Sequence, residues 1–184
     1  MKEPFRVVFV CTGNRARSPL AEALYRRHSE GVETVVTSYG TSDIGVAPPL
    51  PQALEAAASA GVDLSDYRAR ALRPGNLAEA DLVLGFEPFH QAVAVVEGGA
   101  SAANTFLLAE LVSLLGGPQP LTEPDDTERA RSIVAIADSR RVRSRPAADA
   151  SIADPVGQPD EVMFRIAEQI DEQVRQLVHG LFGR

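Results

Sequence analysis

Residues 7–19 read VVFVCTGNRARSP, and this stretch constrains the chain more than any other. The apolar, β-branched run from Phe5 to Val10 predicts a strand that delivers Cys11 at its end. Five residues separate Cys11 from Arg17, and a helical pattern opens just beyond. A strand that feeds a short glycine-containing loop into a helix N-terminus is a phosphate cradle. Its loop N–H groups and the helix dipole converge on negative charge. Gly13 and Asn14 are residue types that tolerate positive φ in so tight a loop. Ser18 reads as the N-cap, Pro19 as the first helical residue, and Glu22 falls in the opening turns.

Cys11 adds a nucleophile to that cradle. The thiolate is the reactive form of cysteine, and the donors that hold a phosphoryl group also stabilise it. Arg17 stands where the loop closes, and its planar fork binds two phosphoryl oxygens at once. Thr12, Gly13, Asn14, Arg15, Ala16, Arg17 and Ser18 are therefore expected around the phosphate, with the Ser18 hydroxyl on the Cys11 sulfur. The plainer alternative is a structural cysteine buried at a strand end. Gly, Asn, Ser and Pro, each where a cradle needs it, argue against that alternative.

The remaining pattern alternates strands with helices. Strands are expected at Glu33 to Ser38, Asp81 to Gly85 and Asn104 to Leu107. Helices are expected at Pro19 to Ser29, with Leu20, Ala23, Leu24 and Arg27 on one face, and at Pro51 to Ala60, where Gly61 signals the end. Others follow at Asn76 to Ala80, Pro88 to Glu97 and Ala109 to Leu115. A Pro-rich linker then leads to helices at Asp125 to Ser139 and Pro159 to Leu181. This alternation predicts an α/β fold with a parallel sheet, helices on both faces, and a ligand site at the carboxyl edge of the first strand. A length of 184 residues suits one domain, and residues 97–153 read as a helical insertion within it. The net charge of −7 argues against nucleic acid and anionic membrane as partners. A single cysteine excludes an internal disulfide and fits a reducing, cytoplasmic setting. No signal peptide or membrane span is apparent.

CTGNRARSP resembles the active-site loop of the low-molecular-weight protein-tyrosine phosphatases, C-x-G-N-x-C-R-S-P. A second family signature is Asp154-Pro155, within ADPVGQPDEV, and further matches are SYGTSD at Ser38 to Asp43 and EADLVLGFE at Glu79 to Glu87. The resemblance implies a flavodoxin-like three-layer sandwich with a four-stranded sheet in the order 2-1-3-4. It also implies Cys11 as nucleophile, Arg17 as phosphate clamp and Asp154 as general acid. An Asp-Pro by itself is usually a turn or a helix stop. The chain departs from the family pattern at several positions. Ala16 replaces the second loop cysteine, Arg15 fills the variable loop position, and Tyr67 stands where many members have His. Ile44 and Val156 replace the aromatic residues that commonly wall the cleft. Ile44, Tyr67 and Val156 are thus expected at the substrate-cleft rim, with Arg15 pointing toward it.

Other residues have plainer readings. Glu87 follows the third strand and either orients loop groups or caps the next helix. His28, His90 and His179 are scattered on helical faces and read as surface residues, so neither a metal nor another cofactor is expected. The arginines from Arg129 to Arg145 read as a solvated helix and its exit loop, in preference to a surface for acidic partners. The expected activity is phosphomonoester hydrolysis through a phosphocysteine, with phosphotyrosine in protein or a small aryl phosphate as substrate and inorganic phosphate or another oxyanion in the loop. The alternatives are arsenate reduction with a small thiol, phosphoarginine hydrolysis, and a non-catalytic phosphate-binding module.

Overall fold

A computed structural model describes residues 3–116, 125–143 and 150–183. The expected Pro-rich linker and Arg145 lie outside these residues. The strands are β1 (Phe5–Cys11), β2 (Thr34–Gly40), β3 (Leu82–Gly85) and β4 (Thr105–Leu107). The helices are α1 (Arg17–His28), α2 (Pro51–Ser59), α3 (Pro88–Val96), α4 (Leu108–Leu115), α5 (Asp126–Arg143) and α6 (Asp160–Phe182). The sheet is parallel in the order β2-β1-β3-β4, as expected. β1 is central, pairing Cys11 with Gly40 on one side and Val10 with Gly85 on the other.

The period of two along β1 divides the core. Phe5, Val7, Phe9 and Cys11 face α1 and α6, in one buried cluster with residues from α2, α4 and α5. Val8 and Val10 face the opposite side, against Leu77, Ala94 and Ala100. Cys11 therefore sits at the carboxyl end of the central strand, on the more heavily covered face. Helix α6 supplies much of that cover, burying Met163, Ile166, Ile170, Val174, Leu177 and Val178 at helical spacing. The cluster includes Leu108 and Leu111 of α4 and Ala130, Ile133 and Ala137 of α5, so both helices share the core of β1.

Several local expectations are corrected. Helix α1 starts at Arg17 with Ala16 as an N-cap lacking a side-chain bond, so Ser18 and Pro19 lie inside the first turn. Ser18 does not cap because its hydroxyl is engaged by Cys11 and Asn14. The buried face of α1 runs through Leu20, Ala21, Leu24 and Tyr25, and not through Ala23 and Arg27. β2 extends to Gly40. Residues 74–79 form turns: Leu77 is buried, but so short a run makes too few helical hydrogen bonds to offset the cost of nucleating a helix. His90 is buried, not on the surface. The arginines of α5 are not simply solvated. Arg131 pairs with Asp81, Arg140 donates to the Leu114 carbonyl, and Arg141 donates to the carbonyls of Thr105 and Ala102 across the Phe106 ring.

Candidate active site

Loop 12–16 joins β1 to α1. Its carbonyls turn outward: Cys11 O accepts from Thr41 N, Thr12 O from Ser42 N, and Arg15 O from Leu50 N, each at 2.9 Å. The N–H groups of Thr12 through Arg17 have no acceptor among the described residues. Successive free N–H groups at a helix start form an anion nest. The chain reverses at Asn14, whose φ of 51° lies in the left-handed region. β2 packs against this turn so closely that a Cβ on Gly40 would lie 2.8 Å from Thr12 O and 3.1 Å from Asn14 N. A glycine is required there for close approach of the two backbones.

A buried polar network holds the turn from behind. Asn14 Nδ2 donates to Ser18 Oγ (2.8 Å) and Ser38 Oγ (2.9 Å). Asn14 Oδ1 accepts from Arg70 N and from the Tyr67 hydroxyl, both at 2.8 Å. Ser38 Oγ donates to Glu22 Oε2 at 2.7 Å, and the Arg70 guanidinium donates to the same oxygen at 2.5 Å. Arg70 also lies over the rings of Tyr39 and Tyr67. Glu22 is 1% exposed, and a carboxylate so buried must be paired and hydrogen-bonded. Burial raises the Tyr67 phenol above its ordinary pKa and keeps it a donor. The Ser18 oxygen accepts from Asn14 and lies 2.9 Å from Cys11 Sγ, where its hydroxyl can donate to a thiolate.

The cleft in front of the loop encloses about 250 Å³ and is lined by Cys11, Thr12, Gly13, Arg15, Ala16, Arg17, Ile44, Leu50, Asp154 and Val156. Ile44 and Val156 stand at the expected wall. Tyr67 does not: its hydroxyl is turned to Asn14 and Ser38 behind the loop. Arg15 Nε donates to the Pro48 carbonyl at 2.6 Å, which fastens the loop to the segment before α2.

Arg17 is 2% exposed and joins three elements. Nη1 donates to Glu87 Oε2 (2.6 Å) beyond β3 and to the Ile152 carbonyl (2.9 Å), and Nη2 donates to Asp154 Oδ2 (2.5 Å). Ile152 is held again by its N–H on Phe86 O at 2.8 Å. The arginine thereby docks the segment that carries Asp154, 143 residues from Cys11 in sequence. Both readings for Glu87 meet here: its carboxylate orients Arg17, and the residue occupies the N-cap position of α3.

His90 is the main residue that sequence reasoning misplaced. It is 1% exposed, and its Nδ1 accepts from the backbone N–H of Phe86 (3.2 Å) and Glu87 (3.1 Å). Nε2 lies 3.0 Å from Thr12 Oγ1. Burial, reinforced by the positive charge of Arg17, pulls its pKa to about 4 against the opposing pull of Glu87 and Asp154. The ring is neutral with its proton on Nε2. Its signal in the sequence was its place, three residues after Glu87 in the first turn beyond a core strand. Arg70 was missed as well, and nothing in its local sequence marks it.

Comparison with known proteins bears on the family. The family described as low molecular weight phosphotyrosine protein phosphatase matches residues 6–138. The low molecular weight protein-tyrosine-phosphatase Etp of Escherichia coli strain K12 is 30% identical over 120 residues, covering 65% of this chain and 80% of that protein. The protein-arginine-phosphatase of Bacillus subtilis strain 168 is 32% identical over 109 residues, covering 58% of this chain and 72% of that protein. A crystal structure of a low molecular weight protein tyrosine phosphatase from T. tengcongensis superposes with a TM-score of 0.70 at 28% identity, covering 95% of this chain and 98% of that one.

Proposed function

Because the chain belongs to the low molecular weight phosphotyrosine protein phosphatase family, whose members are enzymes, we propose that it hydrolyses phosphotyrosine in protein in two steps at Cys11. One observation carries this reading: Cys11, the free N–H groups of the loop, Arg17 and Asp154 meet in one cleft. In the first step the Cys11 thiolate attacks phosphorus while the bond to the leaving oxygen breaks. Asp154, entering protonated, gives that oxygen its proton. In the second step water attacks the phosphocysteine and gives its proton to the Asp154 carboxylate. Inorganic phosphate leaves and the thiolate returns. Loop N–H groups and Arg17 hold the non-bridging oxygens through both transition states. Glu87 and Ile152 hold Nη1 of Arg17, which leaves its Nε edge to meet the phosphoryl group. An arriving dianion competes with Asp154 for Nη2, and this frees the carboxyl to take its proton.

The walls favour a second substrate reading. Ile44, Leu50 and Val156 are aliphatic where a phosphotyrosine ring gains most from another ring, so phosphoarginine competes with phosphotyrosine for this cleft. Arsenate reduction uses the same oxyanion geometry but needs an external thiol, since Cys11 is the single cysteine. A cytoplasmic setting suits a nucleophile that must stay reduced. No helix among the described residues is long and apolar enough to cross a membrane. Residues 97–153 are read as an elaboration of the one domain.

Turnover of a phosphotyrosine peptide, a phosphoarginine peptide and arsenate with glutathione, measured in parallel, tests the assignment. Hydrolysis of the phosphotyrosine peptide, abolished in Cys11→Ser with sulfate binding retained, is the expected result. Activity that survives Cys11→Ser overturns the mechanism, and preference for either other substrate overturns the substrate.

A further inference from the structure

Thr12 is the loop residue whose side chain the mechanism above leaves unused. It lines the cleft beside Cys11, and its carbonyl is already engaged by Ser42 N. Its hydroxyl lies 3.0 Å from Nε2 of His90. That contact has one sense. Nδ1 of His90 accepts from two backbone N–H groups and so carries no proton. The ring proton is on Nε2 and is donated to Thr12 Oγ1. The hydroxyl therefore accepts from His90, and its own hydrogen is directed elsewhere.

Its surroundings say where. Nε2 of His90 is 3.8 Å from Glu87 Oε2, the oxygen that accepts from Arg17 Nη1. These contacts link the Thr12 hydroxyl through His90 and Glu87 to Arg17, and Thr12, Arg17 and Asp154 line the same cleft. A donor fixed there, in a site built for an oxyanion, is set to meet a phosphoryl oxygen without reorganising. We propose that the Thr12 hydroxyl is a further hydrogen-bond donor to the bound phosphoryl group, and that His90 is its positioning residue, fixing the hydroxyl as donor toward the cleft. The inference rests on the phosphatase reading and adds to it a side-chain donor beside the backbone nest.

Two substitutions separate this role from a structural one. Thr12→Val keeps the shape and removes the donor. His90→Asn places an amide oxygen near the position of Nδ1, where it still accepts from Phe86 and Glu87, but is too short to reach Thr12. Thr12→Val should weaken inhibition by vanadate and lower kcat/KM for para-nitrophenyl phosphate by roughly 10- to 100-fold, as for a lost hydrogen bond to a charged group. Thr12→Ser should recover the larger part of that loss. His90→Asn should follow Thr12→Val in both measurements, and the double variant should be no worse than Thr12→Val alone. Vanadate inhibition and kcat/KM unchanged in Thr12→Val overturn the proposal. So do losses that multiply in the double variant, since His90 then acts by another route. Wild-type turnover is the internal control: its absence counts against the phosphatase reading, whereas turnover indifferent to Thr12 counts against this proposal alone.

Discussion

Lowering the pH from 7 to 5 tests the buried imidazole that braces Thr12. Protonating His90 would place a charge in a region 1% exposed and beside Arg17, while Nδ1 would lose its capacity to accept from Phe86 and Glu87. The fold therefore resists protonation and moves the pKa from 6.5 to about 4. The sign follows from linkage: between these values the unfolded chain binds the proton and the folded one does not. The contribution is at its full value above pH 6.5, falls as the pH drops, and is exhausted near pH 4. The gap corresponds to about 3 kcal/mol in total, of which about 2 kcal/mol is lost by pH 5. His90→Asn has no such proton, and every other ionisable group, Glu87, Asp154, His28 and His179 included, is common to both proteins. Urea unfolding at pH 7 and pH 5 should show the wild type losing about 2 kcal/mol more than His90→Asn. Equal losses would mean that His90 is as easily protonated in the fold as out of it, and the assignment of Nδ1 as the acceptor that fixes its tautomer would fall.

Asp154→Ala should slow hydrolysis of a phosphotyrosine peptide by roughly 10²–10⁴-fold, and that of para-nitrophenyl phosphate far less, because nitrophenolate leaves without a proton. Single-substrate kinetics on the two compounds check this, and equal losses would make Asp154 a structural partner of Arg17. Val156→Tyr should lower KM for phosphotyrosine peptides several-fold, since ring contacts add about 0.5–1.5 kcal/mol beyond burial. An unmoved KM would show that this wall does not meet the substrate.

The place of Cys11 and the sheet were legible because they rest on local, periodic signals. β1 alternates its faces with period two, and that periodicity alone puts Cys11 in line with Phe5, Val7 and Phe9. What escaped was decided by partners distant in sequence. Ser18 has the chemistry of an N-cap, but Cys11 and Asn14 claim its oxygen, and helix α1 begins without it. Tyr67 was assigned to the rim from a family position; its hydroxyl is drawn inward by Asn14, 53 residues away.

Glu22 shows why such errors cluster at a site. A carboxylate in the opening turns of a helix reads as a favourable partner for the helix dipole, and on an exposed helix it needs nothing more. Here it is flanked by Leu20, Ala21, Leu24 and Tyr25 on the face that enters the core, so burial forces it to find Ser38, Arg70 and Arg26. Those partners come from β2, the segment before residue 72 and α1, and two of them, Ser38 and Arg70, also fix Asn14 in its left-handed turn. The residues hardest to assign from sequence are the ones whose burial costs most, and that cost is met only by the contacts that shape the loop. His90 follows the same rule on the other side of the nest, where burial holds it neutral and two backbone N–H groups fix its tautomer. One buried network thus sets the backbone conformation of the loop and the other sets the direction of a hydroxyl within it. Cys11 itself needs only the end of a strand.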